Sequence, residues 1–273
     1  MWLVYNGEII IESKLPFNTN NRAFQYADGF FETIAFRNGE IRFLKDHMLR
    51  IKRGARVFNY QLPNTLLFKE DLTATISDLL DKNELKEDAT IKIIVWRKEG
   101  GKYEPNTQEV DFIIKVVPKT WAEKPTILDK VALYSEFENA YTPISPIKSI
   151  ASANYVLAGI YKQQQQLDDL IILGEDKAIS ECLYSNIFWI EKEVLYTPSY
   201  LTGCVEGVMR KQLFKACIQH GIPFQEGVFG LQDLLEAEFV FNANIAGFGV
   251  ISSLEGKNFE STHPLFDTLV QGL

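Results

Sequence analysis

Alternating or β-branched apolar runs mark strands at residues 2–5, 8–12, 30–36, 90–96 and 109–117, because successive strand side chains point to opposite faces. Between them, residues 45–58 and 65–80 carry helical spacing, with Leu72, Ile76, Leu79 and Leu80 on one apolar face. The turn Arg37-Asn38-Gly39-Glu40 separates two apolar runs, and Asn-Gly favours the positive φ angles of a type I′ hairpin. Strands outnumber helices in this half, which predicts an α+β domain. Residues 118–125 then carry two prolines and no periodicity and read as a linker.

Beyond the linker the pattern predicts strands at 130–134, 169–173, 187–191, 194–197, 239–241 and 249–252. Helices are predicted at 152–166, 207–220 and 263–269, the second ending before Gly221 as a left-handed cap. The expected division is therefore an N-terminal domain over 1–118, a linker over 119–127 and a C-terminal domain over 128–273.

The chain has 273 residues, 46% of them hydrophobic and 23% charged, which is globular composition. Its 28 basic against 36 acidic residues give a net charge of −8, and no basic stripe suggests a nucleic-acid partner. Arg50-Ile51-Lys52-Arg53 with Arg56 falls at helical spacing and reads as a solvated face. Cys182, Cys204 and Cys217 make no disulfide framework, which fits a reducing compartment. The N-terminal residues lack the pattern of a signal peptide. The longest uncharged stretch, residues 239–254, is short of the ~20 residues that span a bilayer. The expectation is a cytoplasmic protein with no membrane partner.

Several common sites are absent from the sequence. No phosphate-loop motif, nucleophile elbow or dinucleotide fingerprint occurs. His47, His220 and His263 are isolated in sequence and no Cys-x-x-Cys exists, so no metal site is expected. So few acid–base candidates point to a chain that borrows its chemistry from a cofactor.

Three segments carry that possibility. Lys148 stands alone in Ile147-Lys148-Ser149-Ile150. It is either a snorkelling surface lysine or a desolvated amine suited to carbonyl chemistry. Glu181 opens a nearly uncharged segment running into Asn186-Ile187-Phe188-Trp189. Carboxylates are seldom buried unpaired, so exposure at a strand end is the expectation from the residues alone. Finally, Gly203-Cys204-Val205-Glu206-Gly207-Val208-Met209-Arg210 is a glycine-containing turn opening a helix, where free N–H groups suit a phosphate.

Together with Arg22-Ala23-Phe24-Gln25-Tyr26-Ala27-Asp28-Gly29-Phe30-Phe31-Glu32-Thr33 and His47-Met48-Leu49-Arg50-Ile51, these segments resemble the class IV aminotransferases. That family comprises the fold-type IV pyridoxal-phosphate (PLP) enzymes. Its members include branched-chain and D-amino-acid aminotransferases and 4-amino-4-deoxychorismate lyases. The resemblance implies a two-domain α+β/α/β fold like D-amino-acid aminotransferase, with a smaller N-terminal domain and a larger barrel-like C-terminal domain. It also implies a homodimer.

By the same resemblance, Lys148 holds the cofactor covalently and Glu181 pairs with its pyridine nitrogen. Arg50, Gly207 and the backbone N–H groups of Val208 and Met209 contact the phosphate. Asn242-Ala243-Asn244 matches a second phosphate turn. Many relatives have Thr at the Ala243 position, so a backbone N–H or Asn244 would serve there instead. Phe31, Arg97 and Tyr103 fall where the family reads its substrate, and the resemblance implies that Arg97 binds a substrate carboxylate across the dimer interface. The stretch Arg97-Lys98-Glu99-Gly100-Gly101-Lys102-Tyr103 resembles R-G-x-G-G-R-G-Y of the lyases, one residue shorter and with Lys98 for Gly. Phe31 stands where D-amino-acid aminotransferases have Tyr. The resemblance therefore implies a lyase that converts 4-amino-4-deoxychorismate to 4-aminobenzoate and pyruvate, with a branched-chain or D-amino-acid aminotransferase as the alternative.

Overall fold

The computed structural model describes all 273 residues. In its first unit, β1 (Trp2–Tyr5), β2 (Glu8–Ile11), β3 (Gly29–Arg37), β4 (Glu40–Ile41), β5 (Ala89–Arg97) and β6 (Val110–Pro118) form one sheet. Its strand order is β2-β1-β6-β5-β3-β4 and every pair is antiparallel. The hairpin turn is of the expected kind, with Asn38 and Gly39 both at positive φ (52° and 76°).

Alternation sorts the two faces of this sheet. Ile91, Ile93 and Val95 of β5 and Phe112, Ile114 and Val116 of β6 are buried on one face. The helices α2 (Leu44–Phe58) and α4 (Lys69–Lys82) cover that face with Met48, Ile51 and Ala55 and with Leu72, Ile76 and Leu79. Burying each large aliphatic chain there contributes roughly 1.5–3 kcal/mol.

Two local features depart from the sequence pattern. The helix expected at 65–80 is broken at Phe68, whose extended backbone separates α3 (Asn64–Leu67) from α4. Glu70 and Asp71 then sit in the first turn of α4, where acidic side chains favour a new start. A five-residue helix, α1 (Arg22–Tyr26), is too short to show periodicity. It exists because Asn21 Oδ1 accepts the N–H groups of Ala23 and Phe24.

Residues 1–121 with 147–151 form the first unit, and 122–146 with 152–273 form the second. The Lys148 segment, expected within the C-terminal stretch, packs with the first unit. Phe31 N–H donates to the Lys148 carbonyl (2.8 Å), Ile150 N–H donates to that of Gly29 (3.1 Å), and Ile147 enters the helix-covered core.

The second unit holds two larger sheets and a two-stranded ribbon that pairs Ser253–Leu254 with Lys257–Asn258. β7 (Thr126–Leu128), β11 (Asn186–Glu191), β12 (Val194–Pro198), β13 (Phe224–Gly227), β14 (Phe239–Asn244) and β15 (Gly247–Ile251) form one, in order β13-β12-β11-β14-β15-β7. The other is β8 (Val131–Asn139), β9 (Asp169–Gly174) and β10 (Ile179–Cys182), in order β10-β9-β8. α5 (Ala153–Gln164), α6 (Val208–His220), α7 (Leu231–Leu235) and α8 (Pro264–Val270) complete it. β9 and β11 are buried along nearly their whole length, which is why they read as continuous apolar runs rather than alternating ones.

Candidate active site

In the first unit, β3 carries three consecutive residues of different fate. Phe30 enters the core, Phe31 turns to the opposite face of the strand, and Glu32 returns to the helix side. Glu32 is 1% exposed there, and α2 meets it with an arginine and a histidine. Arg50 Nε and Nη2 donate to its two oxygens at 2.7 Å each, and His47 Nδ1 lies 2.6 Å from Oε2. Burial pushes the Glu32 carboxyl up, but the Arg50 charge and the hydrogen bonds from His47 and Arg50 outweigh it and hold it at about 2. Arg50 is therefore anchored by a buried carboxylate rather than lying on a solvated face. Glu32 and His47 lay inside the quoted motifs. The signal for Glu32 was its strand parity with Phe30 and Ile34, which obliges a buried carboxylate to find a cation.

Lys148 stands on the other side of β3, with Nζ 5.0 Å from the centre of the Phe31 ring. The structure thus brings Lys148 and Phe31 together. Arg97 lies elsewhere in the first unit, in a bed of internal acceptors. It is 6% exposed. Its Nε donates to Asp28 Oδ2 (2.9 Å), Nη2 to the Phe58 carbonyl (2.7 Å), and Nη1 to the Thr107 carbonyl (3.3 Å) and Gln108 Oε1. Every guanidinium nitrogen already has an internal acceptor. Burial pushes the Asp28 carboxyl up, but hydrogen bonds from Arg97, Arg22 and Tyr60 hold it below its ordinary value. Tyr103 is 91% exposed, edge-on to Tyr26. Its loop is held by Arg22, whose Nη1 donates to the carbonyls of Gly100, Gly101 and Lys102.

In the second unit, Glu181 on β10 is 4% exposed, against the expected surface position. Tyr155 Oη donates to Oε1 (2.5 Å), Asn139 Nδ2 donates to the same oxygen (3.2 Å), and Val205 N–H donates to Oε2 (3.0 Å). Tyr155 comes from α5 and Asn139 from the end of β8. Neither could be read from sequence, because the partnership is formed across 26 and 42 residues.

Val205 continues into Gly207, the residue before α6. No side chain caps that helix and no acidic residue lies in its first turn, which leaves the positive pole at Val208 and Met209 for an anion. A Cβ on Gly207 would collide with Asn186 Oδ1. The same Asn186 donates to the Val205 carbonyl (2.7 Å) and pairs across the sheet with Ala243. Asn186 thus ties the Glu181 segment, the α6 start and the Ala243 turn into one cluster. Asn244 is spent locally: its Nδ2 donates to the Tyr184 carbonyl (3.2 Å) and its Oδ1 accepts Ala246 N–H (2.7 Å).

Taken unit by unit, the donors fit PLP. In the second unit an uncapped helix start suits a phosphate and a buried, fixed carboxylate suits a pyridinium; in the first, a lysine amine suits an aldehyde. The profile of the family described as amino-transferase class IV matches residues 29–252. The chain belongs to the class IV aminotransferase family. A probable branched-chain-amino-acid aminotransferase of Rickettsia bellii is 24% identical to it, over 96% of this chain and 87% of the relative. An aminodeoxychorismate lyase of Vibrio harveyi is 25% identical, over 90% of each chain. The structure of a branched-chain amino acid aminotransferase from Thermobaculum terrenum in its PLP form superposes with a TM-score of 0.84. It shares 19% identity, with 98% of this chain and 91% of that chain covered. Members of the family are PLP-dependent, and the class IV fold extends over nearly the whole chain.

The three cysteines are free and buried, and burial pushes Cys204 up to about 12 and Cys217 to about 11. No group of three or more His, Cys, Asp or Glu is placed to hold a metal ion, and no helix is long and apolar enough to cross a membrane.

Proposed function

We propose that this class IV enzyme binds PLP through Lys148 and converts 4-amino-4-deoxychorismate into 4-aminobenzoate and pyruvate. Bound PLP supplies an electron sink conjugated to the substrate nitrogen. Glu181 holds a proton at the pyridine nitrogen, and its fixation by Tyr155 and the Val205 N–H keeps it aimed. The α6 start takes the phosphate through the Val208 and Met209 N–H groups, and Arg50, braced by Glu32, adds a cation. The Lys148 amine removes the proton from the ring carbon that bears nitrogen. The C–O bond to the enolpyruvyl group then breaks with its electron pair on oxygen, the ring becomes aromatic, and the released enolate takes a proton at carbon to become pyruvate.

The observation that carries the lyase over an aminotransferase is the Gly100-Gly101-Lys102-Tyr103 loop, which resembles the lyase stretch and is clamped through its carbonyls by Arg22. Phe31 beside Lys148, in place of Tyr, supports the same reading. The experiment is to mix the loaded enzyme with aminodeoxychorismate and, separately, with L- and D-amino acids. A lyase releases pyruvate and 4-aminobenzoate over many turnovers with no keto acid present. Turnover only with an amino acid and a keto acid together, and no 4-aminobenzoate, would make the chain a branched-chain or D-amino-acid aminotransferase. The same reading carries a homodimer, which a fully active monomer in sedimentation would contradict.

A further inference from the structure

β9 is apolar apart from its first residue, Asp169, which is 4% exposed. Asp169 Oδ1 accepts the Leu170 N–H (2.8 Å), and Oδ2 accepts Asn242 Nδ2 (2.6 Å) from β14 in the other sheet. Burial pushes the carboxyl up to about 6, with the Leu170 and Leu183 N–H groups, Lys162 and the Asn242 amide offsetting part of the rise. An apolar side chain would fill this position without that cost. What the carboxylate adds is a charge-assisted grip on Asn242.

Asn242 enters a slot left open by Gly249, where a Cβ would lie 2.6 Å from its Oδ1. It directly precedes Ala243, which pairs across the sheet with Asn186, and Asn186 lies against Gly207. The turn that follows Asn242 therefore stands beside the start of α6. Asp169 ties that turn to the neighbouring sheet.

We propose that Asp169 is a positioning residue for the cofactor phosphate, holding Asn242 so that the Ala243-Asn244 backbone is fixed beside the α6 start. It has this role only if the α6 start takes the phosphate, as proposed above. The ionised form does the holding, because a protonated acid must turn its O–H towards one of the three donors around it. Acidification therefore loosens the phosphate seat. The titratable groups that face Asp169 are Lys162 from α5 and Cys182 from β10. Burial and the Asp169 charge push the Cys182 thiol up and keep it neutral. β8 opposes Asp169 with Val131, and β14 with the neutral Asn242.

The test titrates the full chain with PLP and with pyridoxal, which lacks only the phosphate, at pH 8 and pH 5. At pH 8 Asp169→Asn should bind pyridoxal as wild type does but PLP roughly ten-fold more weakly, the scale of one hydrogen bond to a charged group. Asn242→Ala should match it, and the double variant should lose nothing more, since both changes remove one bond. At pH 5 wild type and Asp169→Asn should converge, the titration of the phosphate itself being common to both. Circular dichroism checks the fold of each protein, and the two single variants stand separately, so loss of one leaves the other decisive. Undiminished preference for PLP in a folded variant, equal loss of both ligands, additive losses in the double variant, or a gap that persists at pH 5 overturns the role of Asp169. A wild type with no preference for PLP over pyridoxal overturns the phosphate reading of the α6 start, and this role with it.

Discussion

Replacing Glu32 with Gln removes one charge from the most completely buried ion cluster of the first unit. The carboxylate is 1% exposed and takes two hydrogen bonds from Arg50 and one from His47. Glutamine keeps one acceptor oxygen, but its NH2 group must face a donor on Arg50 or His47. Breaking a buried pair by removing one partner costs about 3–5 kcal/mol. The depression of the carboxyl value leads to a similar size. A carboxyl held at about 2 instead of its ordinary 4.5 contributes about 3 kcal/mol. Because the folded value is depressed, that stabilisation is fully present above pH 4.5 and is lost as pH falls towards 2. Calorimetric unfolding of wild type and Glu32→Gln at pH 7 and pH 3 measures both. The variant should be less stable by about 3–5 kcal/mol at pH 7, with a clearly smaller difference at pH 3. A loss below about 1 kcal/mol, the level of a surface pair, or a difference independent of pH, would refute the reasoning.

Asp169 should show the opposite sign: burial pushes its carboxyl up to about 6, only partly offset by the Leu170 and Leu183 N–H groups, Lys162 and the Asn242 amide. With the folded value raised, the ionised form is a burden above pH 6, so Asp169→Asn should gain about 1–2 kcal/mol at pH 8 and nothing by pH 4, read from urea midpoints. Arg97→Lys should lower the melting temperature by several degrees, since a lysine cannot serve four acceptors, yet leave KM for the substrate unchanged. A raised KM at full stability would return Arg97 to the substrate. Glu181→Gln should still retain PLP through dialysis but lose most turnover, because a neutral amide cannot hold a pyridinium proton. Unchanged kcat would remove Glu181 from the chemistry.

What could be read in advance followed from short-range physics. The alternation of β5 and the Asn38-Gly39 turn depend on neighbours in sequence, and both stand in the structure. Phe68 interrupts a helix that periodicity alone would continue. The segment around Lys148 joins the first unit because its backbone bonds to Phe31 and Gly29, a pairing more than a hundred residues apart in the chain. The candidate residues stand out in sequence, but their partnerships do not. Glu181 looked like an exposed strand end until Tyr155 and Asn139 arrived from other elements. The register of Arg97 is visible in sequence, while its acceptors, Asp28, Phe58 and the 107–108 turn, are not. A buried charge declares its cost in sequence, but not which distant groups offset it.

The central claim is that Lys148 carries the cofactor. The protein is incubated with PLP, reduced with borohydride and digested with trypsin, and the peptides are mass-mapped. Lys130 and Lys162 bound the segment, and a modified Lys148 resists cleavage. The account predicts a single phosphopyridoxyl adduct on the uncut peptide 131–162. An adduct on any other lysine, or none at all, would contradict it.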